Sequence, residues 1–184
     1  MPLYLNMINS YEDVLKSVDD FGRMAGREKE AAAKRAQIER DYAELTQNVQ
    51  KGKGPKVLVI FGSPDSFNMS TKLSFSGDLV KRLGGVNIAD KAENVKDSSF
   101  IPLSMEFVAK ENPDVVLLIT MGGSKEILEK LRSNMRDNAI WHDVNAVKNN
   151  RVYQLPPSLF TVNPGTYTID AMKIMKEYMY GDVK

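Results

Sequence analysis

The stretch Lys56-Val57-Leu58-Val59-Ile60-Phe61-Gly62 decides the fold. Its apolar run is too short for a buried helix and has no polar alternation, so it reads as a strand covered on both faces. Pro113-Asp114 turns the chain into a second such run, Val115-Val116-Leu117-Leu118-Ile119, and Arg151-Val152-Tyr153-Gln154-Leu155 is a third strand. Helical stretches lie between them. One runs from about Thr71 to Leu83 and is closed by Gly84-Gly85, one is capped by Ser104 and runs through Lys110, and one runs from Lys125 to about Met135. Val86-Asn87-Ile88 adds a short strand, and a terminal helix from Thr166 to Tyr180 turns Ile169, Met172, Met175 and Met179 inward. Strands alternating with helices imply an α/β protein: a three-layer α/β/α sandwich, a Rossmann-like lobe with a mainly parallel sheet, over residues 55–184.

Upstream the texture changes. Residues 27–50 contain neither Gly nor Pro, and Ile38, Tyr42, Leu45 and Val49 recur at helical spacing, which predicts one long connecting helix with a narrow apolar stripe. The Lys51-Gly52-Lys53-Gly54-Pro55 loop ends it. Before it, Asn9 or Ser10 caps a helix from Tyr11 to about Phe21, with Glu12 and Asp13 in its first turn, and Gly22 and Gly26 punctuate the turn that follows. Pro2 to Ile8 reads as a short strand and turn. The expected organisation is therefore 1–22, a strand and helix; 23–54, the long helix and linker; and 55–184, the α/β lobe.

Composition narrows the function classes. The 25 Lys and Arg residues against 24 Asp and Glu leave no excess charge to draw the chain to a nucleic acid. The longest apolar run, Val115 to Met121, is far shorter than the roughly 20 residues a membrane helix needs. Without cysteine the chain has no disulfide, thiolate metal site or cysteine nucleophile, and a single histidine, His142, removes any multi-histidine metal site. Most enzyme classes are therefore poorly served by this composition.

Open α/β sheets bind ligands at the loops leaving the carboxyl ends of their strands, here Gly62 to Ser70, Thr120 to Ser124 and Pro156 to Pro164. The first of these, Gly62-Ser63-Pro64-Asp65-Ser66-Phe67-Asn68-Met69-Ser70-Thr71, is rich in hydroxyls and backbone amides and suits an anion at a helix start. It looks like the Gly-Ser-Pro loop of flavin-reductase-type flavodoxin-like proteins, which makes an FMN-binding reductase the alternative reading. The plain alternative is a Ser/Asn-rich loop with a helix cap at Ser70. The loop lacks the Gly-Lys-Thr of a nucleotide phosphate loop.

Several pieces in order resemble one family. Ser104-Met105-Glu106-Phe107-Val108-Ala109-Lys110-Glu111-Asn112-Pro113-Asp114-Val115-Val116 places a Glu near a helix start before a Pro-Asp strand. Trp141, then Ala146-Val147-Lys148-Asn149-Asn150-Arg151-Val152-Tyr153, follow in the expected order. Tyr11 to Leu15, Phe21-Gly22-Arg23-Met24-Ala25-Gly26-Arg27-Glu28 and the long helix fit the end of a first lobe and an interdomain helix. Together these resemble the C-terminal lobe of substrate-binding proteins of ABC importers for iron-siderophores, haem and cobalamin. The resemblance implies that residues 1–22 are the last part of a first lobe and that the rest of that lobe is absent from this chain.

The resemblance also implies residue roles. Glu106 matches the acidic residue through which this family docks on its permease. Ligand surface would come from Phe67, Met69, Met121, Leu159 and Phe160, and hydrogen bonds from Ser63, Ser66, Asn68 and Thr161. The three loops contain no Arg or Lys, which weakens an anionic siderophore unless a first lobe supplies charge. For haem, Met69 and Met121 are the available axial groups in the loops, whereas His142 beside Trp141 reads as structural. No metal site of the protein's own is implied. The implied function is a non-enzymatic, extracytoplasmic solute-binding component of an ABC importer that holds an iron chelate or corrinoid between two lobes. A third reading is a structural fragment with no binding activity. If the first lobe is absent, the Pro2 to Ile8 strand and the long helix expose apolar surface, and a homodimer through these segments is expected.

Overall fold

Adjacent side chains of a strand point to opposite faces, so a strand that is apolar at every position demands a cover on both sides. That is the arrangement found in a computed structural model of the protein, which describes residues 7–92, 97–161 and 164–181. Strand β1 (Lys56–Gly62) runs parallel to β5 (Val115–Thr120), in register from Val57 opposite Val115 to Gly62 opposite Thr120. Parallel to β5 on its other side lies β6 (Val152–Gln154), at one edge of the sheet.

One face of the sheet carries Val57, Val59, Val115, Leu117 and Ile119. It is covered by α3 (Phe75–Arg82) and α9 (Thr168–Tyr180), whose Ile169, Met172, Met175 and Met179 are buried as their spacing predicts. Above these lie α1 (Tyr11–Ala25) and α2 (Glu28–Thr46), which contribute Tyr11, Leu15 and Ile38 to the same core. The opposite face, with Leu58, Ile60, Val116 and Leu118, is covered by α4 (Met105–Glu111), α5 (Lys125–Asp137), α6 (Ala139–His142) and α7 (Asn145–Lys148). Trp141 of α6 is fully buried there and Trp141 Nε1 donates to Asn134 Oδ1. Each fully buried Leu, Ile or Val in these layers contributes about 1.5–3 kcal/mol of transfer free energy. The architecture is the expected α/β/α sandwich.

Four local departures matter. The Gly62–Ser70 stretch is not a loop before a helix: residues 67–70 form β2 (Phe67–Ser70), which folds back antiparallel on β1 with Ile60 opposite Met69 and Gly62 opposite Phe67. A further strand, β4 (Phe100–Pro102), pairs antiparallel with β2, while β3 (Val86–Asn87) pairs parallel with the first residues of β1. Six strands are thus present among the described residues. The following helix starts at Phe75 rather than Thr71, because Thr71 extends the strand ladder with its N–H on Ser99 O (3.0 Å) and its hydroxyl on Ser98 O (2.6 Å). Ser74, not Ser70, is the cap, accepting from Gly77 N–H at 3.1 Å.

The second departure is in α1, which runs through Gly22 to Ala25 instead of stopping at Phe21. Gly22 is buried where α1 crosses α2, and an added Cβ there would collide with Ala31 Cβ. The turn falls at Gly26, whose φ of 64° is the left-handed conformation that a glycine after a helix supplies. Third, α2 ends at Thr46, and residues 47–54 turn back until Gly54 N–H donates to Gly84 O at 2.9 Å. Fourth, the segment after β6 contains a short helix, α8 (Pro157–Phe160). Of the strand expected over Pro2 to Ile8, residues 1–6 lie outside the described residues and the next ones lead irregularly into α1. Nothing among the described residues supports the dimer expected from that segment.

Candidate functional site

Because β1, β5 and β6 are parallel, their carboxyl ends share one edge of the sheet, and the segments leaving them meet there. Thr161 Oγ1 donates to Thr120 O at 3.1 Å, which ties the end of α8 to the end of β5. Gly123, at φ 70°, lets the turn after β5 pass so close to Pro157 that an added Cβ would stand 2.9 Å from its Cβ. Ser124 accepts from Ile127 N–H at 3.3 Å and starts α5 directly behind that turn.

Two hollows flank this edge. The first, about 140 Å³, lies on the α3 and α8 side and is walled by Phe61, Phe75, Phe100 and Phe160 with Ile119, while Ser74, Ser76 and Thr161 supply its hydroxyls. Phe61 and Phe100 lie with ring centres 5.3 Å apart at 47°. Asn9 and Ile8 reach its rim from the segment that enters α1. The second hollow, about 280 Å³, lies on the α5 side between Pro64 of the β1–β2 turn, Met121, Ser124, Glu126, Ile127 and Lys130. Met121 is 47% exposed; Met7 and Met24 are more exposed still, but neither lines a hollow at this edge.

The residues expected from the sequence are divided by this geometry. Phe160 and Thr161 line the first hollow and Met121 the second, so these three meet at the sheet edge. Leu159 is half-buried and packs against the core beneath α9. Ser63 and Ser66 sit in the β1–β2 turn and bond chiefly to one another: Ser66 N–H donates to Ser63 Oγ at 3.1 Å, Ser63 N–H to Ser66 O at 2.9 Å, and Asn68 Nδ2 to Ser66 Oγ at 2.9 Å. Phe67 is half-buried against the α5-side core. Met69 is corrected outright. On β2 its side chain points into that core with Leu58, Ile60 and Ile101 and is 2% exposed, so it offers no ligand surface.

The reductase reading is corrected by the same geometry. An anion loop needs a helix start presenting free N–H groups, whereas here a hairpin occupies the position and the helix beyond it is capped by its own Ser74. His142, on α6, places Nε2 2.9 Å from Arg136 O and lies away from both hollows. Among the described residues no group of three His, Cys, Asp or Glu side chains could hold a metal ion. Among the described helices none is long and apolar enough to cross a membrane.

Sequence reasoning missed Phe61, Phe75 and Phe100 in the first hollow and Ile127 and Lys130 in the second. Phe61 is the last apolar residue of a buried run, and the carboxyl end of such a strand is where a side chain reaches the sheet edge. Phe100 and Lys130 arrive only through tertiary pairing, Phe100 on β4 and Lys130 by its Nζ donating to Pro64 O at 3.1 Å.

Glu106 is exposed in the first turn of α4, whose start is capped by Ser104 accepting from Phe107 N–H at 3.3 Å. It has no ion-pair partner among the described residues. The turn Asn112-Pro113-Asp114 puts the other end of α4 at the start of β5, so Glu106 lies at the end of the helix remote from that turn.

Comparison with known proteins gives a consistent picture. The model of the periplasmic binding protein family matches residues 6–159. The High-affinity heme uptake system protein IsdE of Staphylococcus aureus (strain MRSA252) is 30% identical over 182 residues, which cover 98% of this chain and 61% of that protein. The crystal structure of IsdE complexed with heme superposes with a TM-score of 0.86 at 29% identity, covering 98% of this chain and 69% of the other. An ABC transporter substrate-binding protein from Listeria monocytogenes EGD-e superposes with a TM-score of 0.83 at 28% identity, covering 96% of this chain and 67% of the other. The chain therefore spans about three fifths of the length of the curated relatives it matches, 61%.

Proposed function

The chain belongs to the periplasmic binding protein family, and from that premise we propose that it is the second, ligand-holding lobe of the solute-binding component of an ABC importer for an iron complex, with haem as the ligand. It is a binding module rather than an enzyme, works outside the cytoplasm, and docks on the permease through Glu106. Residues 55–184 form the second lobe and α1 and α2 connect the lobes; because Tyr11 and Leu15 lie in the core of the second lobe, the boundary with the first lobe falls before α1 rather than at residue 22. A helix as stiff as α2, packed along α1 and α9, keeps lobe closure small.

The observation that carries the haem reading is Met121. A half-exposed thioether at the carboxyl end of β5, above a hollow and beside the phenylalanine-walled one, is a soft donor for haem iron next to apolar surface for a macrocycle. Phe160 and Thr161 extend this surface, and Ser63, Ser66, Phe67, Asn68 and Leu159 form its rim and support. The relatives described above as a heme uptake protein and as a heme complex support the same ligand. Siderophore and cobalamin are less well served, because neither gains from a thioether donor at this position.

Titration of the purified chain with ferric haem tests this by the Soret band. Saturable binding is expected, with Met121→Ala weakening it about tenfold, equivalent to about 1.4 kcal/mol, and altering the ligation spectrum, and Met121→His restoring affinity with an imidazole signature. No saturable binding by the wild type, or an identical spectrum in Met121→Ala, overturns the reading.

A further inference from the structure

Among the described residues lining the two hollows there is one cation, Lys130, and it is delivered by a helix rather than by a loop. Ile127 and Lys130 lie one turn apart on the same face of α5. Ile127 is buried under the end of β1, so tightly that an added Cβ at Gly62 would stand 2.8 Å from its Cγ2. That contact fixes the rotation of the helix and leaves Lys130 beside the β1–β2 turn. Its stem lines the hollow with Met121 and Ile127, and its ammonium is held at the rim by the 3.1 Å bond to Pro64 O. A carbonyl uses one of the three ammonium donors, so the others are available to a ligand. Lys130 has no ion-pair partner among the described residues.

We propose that Lys130 recognises a carboxylate at the periphery of the bound iron chelate, so that the hollow under the β1–β2 turn takes the carboxylate-bearing edge of the macrocycle whose metal faces Met121. This rests on the haem reading above and adds its orientation. The charges around the hollow set the ligand's charge as well. Glu126 lines it four residues before Lys130, and Asp65 is exposed on the same turn as Pro64. One ammonium among two carboxylates leaves the rim net negative, so only a carboxylate placed directly on the Lys130 ammonium is accepted here, at most one per ligand, and a highly charged catecholate complex is disfavoured.

The test compares ferric haem with its dimethyl ester, in which both carboxylates are blocked, on the wild type, Lys130→Met and Lys130→Arg. Methionine keeps the stem that packs the hollow, and unchanged melting temperature confirms folding. Expected for Lys130→Met is a loss of haem affinity of about fivefold to tenfold at low salt, the range for losing one charge-assisted hydrogen bond. High salt shrinks that loss, Lys130→Arg recovers affinity at least in part, and the ester binds all forms alike. An equal loss for the ester means that Lys130 only packs, and no loss for haem means that it does not touch the ligand; either result overturns the inference while leaving the haem reading intact. Failure of the wild type to bind haem overturns both.

Discussion

Tyr11, the first residue of α1, shows how much one side chain holds in this chain. Its ring stacks on Tyr42 at 4.4 Å, and the Arg82 guanidinium lies 5.0 Å from the Tyr11 ring centre and 5.8 Å from that of Tyr42. Arg82 also bonds Asp78 through Nε at 2.7 Å and pairs with Glu12, while Tyr11 N–H donates to Asp78 Oδ2 at 2.9 Å. One guanidinium thus rivets α1, α2 and α3 together, using a planar fork and face that lysine could not replace. The Tyr11 hydroxyl, by contrast, is buried with no hydrogen-bond partner among the described residues, and burial, with Glu39 and Tyr42 adding to it, pushes its pKa up to about 12. An acid whose pKa is higher folded than unfolded keeps its proton longer in the native state, so its contribution is intact below the unfolded value near 10 and is lost as pH rises through the folded one. Wild-type stability is therefore expected to fall by about 1.4 kcal/mol per pH unit above pH ~10 from this group. Tyr11→Phe should abolish that component and be neutral or stabilising near neutrality, because it removes an unpaired polar atom. Urea midpoints of the two proteins between pH 7 and 12 check both parts; a steeper alkaline loss in the variant sinks the assignment.

At the scale of elements, helix interiors usually gain from replacing glycine with alanine, by up to about 1 kcal/mol. Gly22 is expected to do the opposite. The α1–α2 crossing leaves no room for a Cβ against Ala31, so Gly22→Ala should cost about 1–3 kcal/mol by overpacking, and Gly22→Val more. Thermal melts of both variants measure this, and a raised melting temperature for the alanine form would contradict the close crossing. The β1–β2 hairpin makes the complementary point. Its turn, held by Ser63 and Ser66, carries Pro64 to the α5-side hollow, and its second strand buries Met69. The sheet edge has its shape because this segment is a hairpin and not a loop.

Over the whole molecule, the proposed roles fall at two places: the sheet edge, where the two hollows lie, and α4, where Glu106 stands exposed in the first turn. Charge reversal there should separate the two. Glu106→Lys is expected to leave haem affinity and melting temperature unchanged, since the side chain has no ion-pair partner to lose among the described residues, and to depress uptake at least about tenfold when the complete receptor is assayed with its permease, a matched charge pair having become a repulsive one. Unimpaired uptake removes Glu106 from the docking surface. A parallel fall in haem affinity would instead place it near the ligand.

The sequence alone determined the layered α/β plan, because a short run of apolar residues without alternation can be satisfied only by a strand covered on both sides. It also determined the α4 and α5 starts, since Ser104 and Ser124 cap their own helices and a cap is a local device. Met121, Phe160 and Thr161 were legible as edge residues because the carboxyl ends of parallel strands necessarily share an edge. Only the tertiary structure decided the rest. Whether Gly22 ends a helix or lets two helices touch depends on a neighbour in space. Met69 and Phe67 were indistinguishable as loop residues until β2 found β1 and β4, and that pairing is what buried one and left the other partly open. Lys130 became a candidate ligand contact only when Ile127 fixed the rotation of α5. Periodicity and caps are read within a few residues, whereas the composition of a concave surface depends on which distant segments meet.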